Sequence, residues 1–139
     1  MIVVDTNVIA YIYIGGPDTQ LRRDASSVLL RDAEWSAPLL WRSEFCNVIV
    51  QHVHTGQMEI ADADGCWREA SSHLKPREHE VDATSVIHLA VRSGCTAYDC
   101  EFVVLAQALN VPLVTADEQV LKAFPNTAIS LADFAKGKK

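Results

Sequence analysis

The stretch MIVVDTNVIAYIY, residues 1–13, joins a short apolar run to a helical pattern through a single aspartate. Ile2–Val4 consists of strong β-formers only, as in a strand that is buried on both faces. Asp5 follows directly, and the helix-like pattern resumes from Val8. We therefore expect a buried parallel strand that ends at Asp5 and holds this carboxylate at one edge of a sheet.

The length and composition are typical of one ordinary globular domain. The chain has 139 residues, of which 49% are hydrophobic and 22% are charged, so a core can form without disulfides. We predict a single domain over residues 1–135 and a basic tail, KGKK, over residues 136–139. No apolar run is long enough for a membrane span and no basic segment precedes the first one, so we expect a cytoplasmic protein.

The net charge of −6, from 12 basic and 18 acidic residues, argues against binding nucleic acid through a basic surface. Carboxylates gathered around a cation are a different case, because the metal changes the potential that they present to a ligand. Which acidic residues lie close together in the fold is therefore the observation that decides the function.

Short apolar runs alternate with helical patterns along the chain. This alternation predicts parallel, right-handed β-α-β crossovers and a three-layer α/β/α sandwich with helices on both faces of the sheet. We expect a short, mainly parallel sheet of four to five strands. The predicted strands are 2–4, 34–37, 95–98, 112–115 and 127–131, and the predicted helices are 8–13, one that begins after Asp18, 39–54, 61–74, 82–94, 99–109, 117–124 and 131–135.

Three aspartates, Asp5, Asp99 and Asp117, lie at or one residue past the end of a predicted strand. The carboxyl ends of parallel strands meet at one edge of a sheet, so these side chains can converge. Each of them can instead simply cap the following helix, since aspartate is a favoured N-cap. Three together favour a site for a hard cation such as Mg²⁺ or Mn²⁺, because close carboxylates repel each other unless a cation neutralises them.

Glu44 is a fourth acidic candidate. It lies early in the third predicted helix, in LLWRSEFCNVIV at residues 39–50, beside a stripe of apolar side chains. A carboxylate at that position can reach the edge of the sheet, or it can be no more than a favourable charge near a helix N-terminus. Both interpretations stay open at this point.

Longer motifs around these acids resemble one known family. The motifs are VVDTNVIAYIY (3–13), WRSEFCNVI (41–49), AYDCEFVVLAQALNVPLVTAD (97–117) and ISLADF (129–134). With this spacing they resemble the PIN domain, and specifically the VapC-like toxin ribonucleases, over nearly the whole chain. The order Asp, Glu, Asp, Asp matches the acidic quartet of that family at Asp5, Glu44, Asp99 and Asp117.

The resemblance implies a metal-dependent endoribonuclease that acts on RNA as the toxin of a toxin–antitoxin pair. It also implies a homodimer and an antitoxin protein that occludes the site. On this reading Asp5 and Asp99 are the main Mg²⁺ ligands, with Mn²⁺ as a plausible substitute, and Glu44 and Asp117 complete the pocket directly or through water. Three small polar residues match positions that orient the carboxylates by hydrogen bonds, or else serve only in capping and turns: Thr6, Asn7 and Thr115.

Further charged residues flank the quartet in sequence. Arg42 is the best candidate among the arginines for an RNA contact, although a solvated helix face is the plainer explanation for the arginines. Glu101 is rotated by about 200° from Asp99 on a helix, so we expect it to be peripheral. Glu118 takes the place of Asp117 if the strand ends one residue later than predicted.

Two other functions fit parts of this pattern. A phosphoacceptor receiver domain also holds Mg²⁺ with aspartates at strand ends, but it needs a lysine at the end of its last strand, and TAISLADF (127–134) has none. A catalytically silent RNA-processing or scaffold module on the same fold is the other alternative. RNA cleavage that requires a divalent metal would distinguish a nuclease from both.

Overall fold

The structure is a computed structural model and describes residues 1–138. Its strands are β1 (Ile2–Val4), β2 (Trp35–Pro38), β3 (Glu78–His79), β4 (Leu113–Thr115) and β5 (Ala128–Ser130). They pair in the order β3-β2-β1-β4-β5, and every pairing is parallel. The helices are α1 (Thr6–Tyr13), α2 (Gln20–Arg31), α3 (Trp41–His54), α4 (Ile60–Leu74), α5 (Ala83–Ser93), α6 (Ala97–Leu109), α7 (Glu118–Ala123) and α8 (Leu131–Ala135). The predicted α/β fold, a short parallel sheet flanked by helices, is confirmed.

Strand β1 lies at the centre of the sheet. Val3 and Val4 are fully buried, and β1 pairs with β2 on one side and with β4 on the other. The backbone N–H of Asp5 donates to the carbonyl oxygen of Val114 at 3.0 Å, which extends the contact with β4 beyond the last residue of β1. The residues that follow these two strands therefore meet at one edge of the sheet.

Two of the predicted site residues cap helices at this edge. Asp5 is the N-cap of α1 and accepts the N–H of Thr6, and Asp117 is the N-cap of α7 and accepts the N–H groups of Gln119 and Val120. Each carboxylate uses only Oδ1 for its cap. Capping and membership of an acidic site are therefore compatible, because the second oxygen of each carboxylate takes no part in the cap.

The strand predicted over residues 95–98 is wrong. Thr96 is the N-cap of α6, and its hydroxyl oxygen accepts the backbone N–H of Asp99 at 3.1 Å. This local hydrogen bond satisfies one of the free N–H groups of a first helical turn, so the helix begins at Ala97. Asp99 consequently lies in the first turn of a helix rather than at the end of a strand.

Strand β3 was not predicted from the sequence, because two residues are too short for any alternating pattern. It pairs with the end of β2, with Glu78 opposite Ala37 and His79 opposite Pro38. The edge formed by the carboxyl ends of the strands therefore extends two strands beyond β1 on this side.

The C-terminal residues return toward the last helix. Lys138 forms an ion pair with Asp133 at 3.2 Å, and the last residue of the predicted tail, Lys139, lies outside the described residues. Within residues 1–138, none of the helices combines the length and apolarity that crossing a membrane requires.

Candidate functional site

The carboxyl group of Asp5 lies at the centre of the acidic site. Its Oδ1 accepts the backbone N–H of Thr6 at 2.8 Å, and its Oδ2 accepts the hydroxyl of Thr115 at 2.7 Å. The pKa of Asp5 is raised to about 6, mainly by burial; the two hydrogen bonds oppose this shift, and the charges of Asp99 and Asp117 add to it. A carboxylate that is this costly to ionise gains free energy from a nearby cation.

Glu44 joins the site through Thr6. The hydroxyl of Thr6, which is only 5% exposed, donates to Oε1 of Glu44 at 2.7 Å. Burial raises the pKa of Glu44, the charges of Asp5 and Asp99 raise it too, and the hydrogen bond from Thr6 lowers it. Of the two interpretations left open for Glu44, the structure therefore favours the one in which its carboxylate reaches the edge of the sheet.

Thr115 connects Asp5 with Asp117 on the β4 side of the site. Besides donating to Asp5, its hydroxyl oxygen accepts the backbone N–H of Asp117 at 3.0 Å. The side chain of Thr115 is fully buried, so this pair of hydrogen bonds is shielded from water. The start of α7, which carries Asp117, is thereby fixed relative to Asp5.

Asp99 approaches the same acids from α6. Burial raises the pKa of Asp99 and so does the charge of Asp117, while a hydrogen bond with Thr96 lowers it. The charge of Asp99 in turn raises the pKa values of Asp5 and Glu44. The structure thus places Asp5 close enough to Asp99 and Asp117, and Glu44 close enough to Asp5 and Asp99, for these charges to repel each other.

The four acids are the right type of ligand for a divalent cation, but their side chains are not yet close enough together to bind one. All four candidates are carboxylates, the oxygen ligands that Mg²⁺ and Mn²⁺ prefer. Among residues 1–138, however, no three His, Cys, Asp or Glu side chains are grouped tightly enough to hold a metal ion. Carboxylates that repel one another are expected to draw together only when a cation neutralises them.

The structure adds no support to the roles predicted for Asn7 and Arg42. The Oδ1 of Asn7 is buried without a hydrogen-bond partner among the described residues. A role in orienting a carboxylate would use the amide N–H groups of Asn7 instead, and that role stays a prediction. Arg42 forms a double ion pair with Glu78, in which Nε and one terminal nitrogen each lie 2.6 Å from a carboxylate oxygen. The charge of Arg42 is therefore already neutralised, and the structure gives no support to its assignment as an RNA contact.

Glu101 lies closer to the site than expected. Its charge is among those that raise the pKa of Glu44, and burial raises the pKa of Glu101 itself. The expectation of a peripheral residue considered α6 alone, and Glu101 faces away from Asp99 on that helix. That expectation does not include the proximity of Glu101 to Glu44, because Glu44 lies on a different helix, α3. Helical periodicity within α6 cannot reveal where α3 lies.

The cavities of the molecule differ in their relation to these acids. One of about 1300 Å³ lies at the amino ends of the strands, beside Ile2, Pro112 and Thr127. It is on the side of the sheet opposite to the acids, since Asp5 and Asp117 follow the carboxyl ends. A second cavity of about 370 Å³ lies beside His79 and Glu101, at the same edge as the acids.

Comparison with known proteins gives consistent results. A curated relative, Ribonuclease VapC3 from Pyrobaculum aerophilum, is 26% identical over 127 residues, which are 89% of this chain and 95% of the relative. The crystal structure of PAE2754 from the same organism has a TM-score of 0.76 at 18% identity, covering 97% of this chain and 93% of the other. A toxin–antitoxin complex from Klebsiella pneumoniae contains a chain with a TM-score of 0.66 at 18% identity, covering 94% and 98%.

The two structural likenesses establish the fold, and the family is established by a separate match. The family model described as PIN domain matches residues 2–126, which include Asp5, Glu44, Asp99 and Asp117. The chain therefore belongs to the PIN domain family.

Proposed function

We propose that this protein is a divalent-metal-dependent endoribonuclease and the toxin of a toxin–antitoxin pair. The observation that carries the proposal is the meeting of four carboxylates from separate elements, with the pKa of Asp5 raised to about 6. The relative Ribonuclease VapC3 and the structural neighbour from a toxin–antitoxin complex support the same function. An antitoxin partner and a homodimer follow from the family resemblance and are part of the proposal, together with the cytoplasmic location expected from the sequence.

Each residue of the site has a proposed part in the reaction. Asp5 and Asp99 are the main ligands for Mg²⁺, or Mn²⁺ in its place, and Glu44 and Asp117 complete the site directly or through water. A divalent cation held there supplies charge stabilisation for the phosphoryl oxygens and helps to activate the attacking water. Thr6 and Thr115 keep Glu44 and Asp5 in place through their hydroxyl groups.

The acids also provide a place for the proton of the attacking water. A carboxylate that does not bind the cation directly, Glu44 or Asp117, would take this proton as the general base; burial and the charges of Asp5 and Asp99 raise the pKa of Glu44, which suits Glu44 to that role. In-line attack of water on the phosphodiester then leaves a 5′-phosphate and a 3′-hydroxyl. These two ends are a chemical signature that sequencing of the cleaved RNA detects.

The test is cleavage of structured RNA by the purified protein with Mn²⁺ or Mg²⁺, with and without EDTA. We expect cleavage that EDTA abolishes and that Asp5→Asn and Asp99→Asn both remove while the fold is retained. Asp64→Asn is the matched control, because Asp64 is exposed on α4, away from the site. Cleavage at the wild-type rate by either site variant refutes the assignment.

The alternatives predict other results in the same experiment. Membership in the PIN domain family argues against a receiver domain, which would take phosphate from acetyl phosphate and leave RNA intact. A silent scaffold would bind RNA without cutting it and would be insensitive to Asp99→Asn. Metal-dependent cutting excludes both.

A further inference from the structure

The cavity of about 370 Å³ lies at the carboxyl ends of β2 and β3. Its volume falls in the range of small-ligand sites, roughly 300–1000 Å³. Much of its wall is apolar, with Leu39 following β2, and Val86 and Ile87 on α5. Leu39 and Ile87 are 41% and 57% exposed, so the cavity presents apolar surface that a flat ring would remove from water.

The cavity approaches the acidic site at Glu101. Glu101, in its wall, contributes to the charge that Glu44 experiences. The end of β3 is two strand positions from the end of β1, which is about 10 Å. That distance is comparable to the reach from a phosphate to the base of an adjoining nucleotide, so a strand with one phosphate at the acids can place a neighbouring base here.

The polar side chains that line the cavity are two carboxylates and one imidazole, and no lysine or arginine in the described part of the chain is among its lining residues. Two carboxylates, Glu80 and Glu101, contribute acceptor oxygens, and His79 contributes an imidazole. The Nε2 of His79 is shielded from solvent and has no hydrogen-bond partner among residues 1–138, so the ring gains a hydrogen bond if it rotates toward a ligand. Carboxylates repel a phosphate but accept hydrogen bonds from the N–H groups of a base.

We infer that this cavity is a subsite for one unstacked nucleobase of the RNA strand whose phosphate lies at Asp5 and Asp99. The inference rests on the proposed function and adds to it the part of the RNA that the enzyme recognises, which is one base next to the cleaved phosphate. Sequence-specific proteins commonly read splayed-out bases of single-stranded RNA by stacking and by hydrogen bonds to the base edge. Leu39 and Ile87 supply the stacking surface, and Glu101 supplies the acceptors next to the acidic site.

The acceptor-rich wall selects among the bases. Guanine presents two adjacent N–H donors on its Watson–Crick edge and matches the two oxygens of one carboxylate. Uracil presents a single N–H between two carbonyl acceptors and is the poorest match. One bidentate contact of this kind gives roughly a 5- to 150-fold discrimination between bases. We therefore expect cleavage at a fixed position relative to guanine, and little cleavage where uracil takes its place.

The experiment measures cleavage positions in a randomised single-stranded RNA library with Mn²⁺. Ala83 is an exposed residue in the first turn of α5 that lines the cavity, so Ala83→Trp fills the cavity without changing the core. Ala61, an exposed alanine in the first turn of α4, provides the matched control Ala61→Trp. We expect a preference for guanine over uracil of about ten-fold or more in the wild type and in Ala61→Trp. In Ala83→Trp we expect the preference for guanine over uracil to fall below about two-fold while metal-dependent cleavage continues.

A binding measurement separates recognition from catalysis. Fluorescence anisotropy with the inactive Asp5→Asn variant should show tighter binding of an oligonucleotide with guanine at the selected position than of its uracil counterpart, and Glu101→Gln should reduce that difference.

If wild-type protein cuts RNA without base preference, or Ala83→Trp keeps the preference, the inference is overturned and the proposed function stands. If Ala83→Trp keeps the preference but no longer binds the protein encoded beside it, the cavity belongs to a protein partner. Absence of all metal-dependent cleavage in the wild type overturns both proposals.

Discussion

Thr115 donates its hydroxyl proton to Oδ2 of Asp5 at 2.7 Å, across 110 residues of sequence. Thr6 forms the equivalent contact on the other side, donating to Glu44 at 2.7 Å. Since the oxygen of Thr115 also accepts the N–H of Asp117, three of the four acids are linked through two buried threonines. Asp99 alone is positioned by its own helix cap, through Thr96.

These contacts predict that the threonine hydroxyls, and not merely the shape of the side chains, support activity. Thr6→Val and Thr115→Val keep a branched side chain but remove the donor to Glu44 or Asp5. We expect each to lower metal affinity or cleavage rate by about 10- to 100-fold, as is usual for residues that orient metal ligands. Metal titrations and cleavage rates measure the two effects. Thr6→Ser and Thr115→Ser retain the hydroxyl and should stay within a few-fold of wild type; equal losses in the Ser and Val variants would contradict the role of the hydroxyl.

The site could be predicted from the sequence where a local pattern determines the position of a residue. The apolar run Ile2–Val4 determines the end of β1 and therefore the place of Asp5, and Leu113–Thr115 does the same for Asp117. The prediction for Asp99 rests on a strand that the structure does not contain, because a threonine cap at Thr96 starts a helix at this point.

Contacts between elements that are distant in sequence could not be predicted in this way. The pairing of Arg42 with Glu78 depends on β3, which is too short to leave a pattern. The proximity of Glu101 to Glu44 depends on how α6 and α3 approach the same edge of the sheet. Both require knowledge of packing, and periodicity within one helix carries no information about its neighbours.

Ionisation of Asp5 should destabilise the metal-free protein. Its pKa is about 6 in the folded state against 3.8 for an ordinary aspartate, so the folded state holds the proton more tightly than the unfolded chain. The resulting stabilisation is complete below pH 3.8 and is lost as the pH rises through 6. At pH 7.5 in EDTA, Asp5→Asn should therefore raise the free energy of unfolding by about 1–3 kcal/mol.

Urea unfolding from pH 4 to 7.5 checks this prediction. The advantage of Asp5→Asn over wild type should grow with pH, and Asp64→Asn should show no such trend. A stability difference that is independent of pH, or one that favours wild type at pH 7.5, would show that burial does not oppose ionisation at this site.

Divalent cations should reverse that destabilisation. A cation among the four carboxylates removes their mutual repulsion and binds only the folded chain, so Mg²⁺ or Mn²⁺ at 100 times its Kd should stabilise the protein by about 2.7 kcal/mol. Thermal unfolding with increasing metal, in a protein first treated with EDTA, measures this effect. We expect Asp99→Asn to lose most of the shift and Asp64→Asn to keep it; an equal shift in both variants would mean that the ion binds elsewhere.

Arg42 should affect stability rather than RNA cleavage. The side chain of Glu78 is only 6% exposed, and Arg42 and the indole N–H of Trp41 both donate to it. The hydrogen bond from Arg42 is the main reason that the pKa of Glu78 is lowered. Arg42→Met removes both hydrogen bonds that Arg42 donates to this carboxylate, and we expect a loss of about 1–3 kcal/mol in the free energy of unfolding.

The double variant Arg42→Met/Glu78→Gln separates the two roles of Arg42. Replacing the carboxylate by a neutral amide removes the unpaired buried charge, so the double variant should recover part of the stability that Arg42→Met loses. The loss should also diminish as the pH falls and Glu78 takes up a proton, because the lowered pKa of Glu78 stabilises the fold only while the carboxylate is ionised. Cleavage per folded molecule should stay within about two-fold of wild type in both variants, since Arg42 points to Glu78 and not to the acids. A ten-fold loss of cleavage with unchanged stability would instead restore Arg42 as an RNA contact.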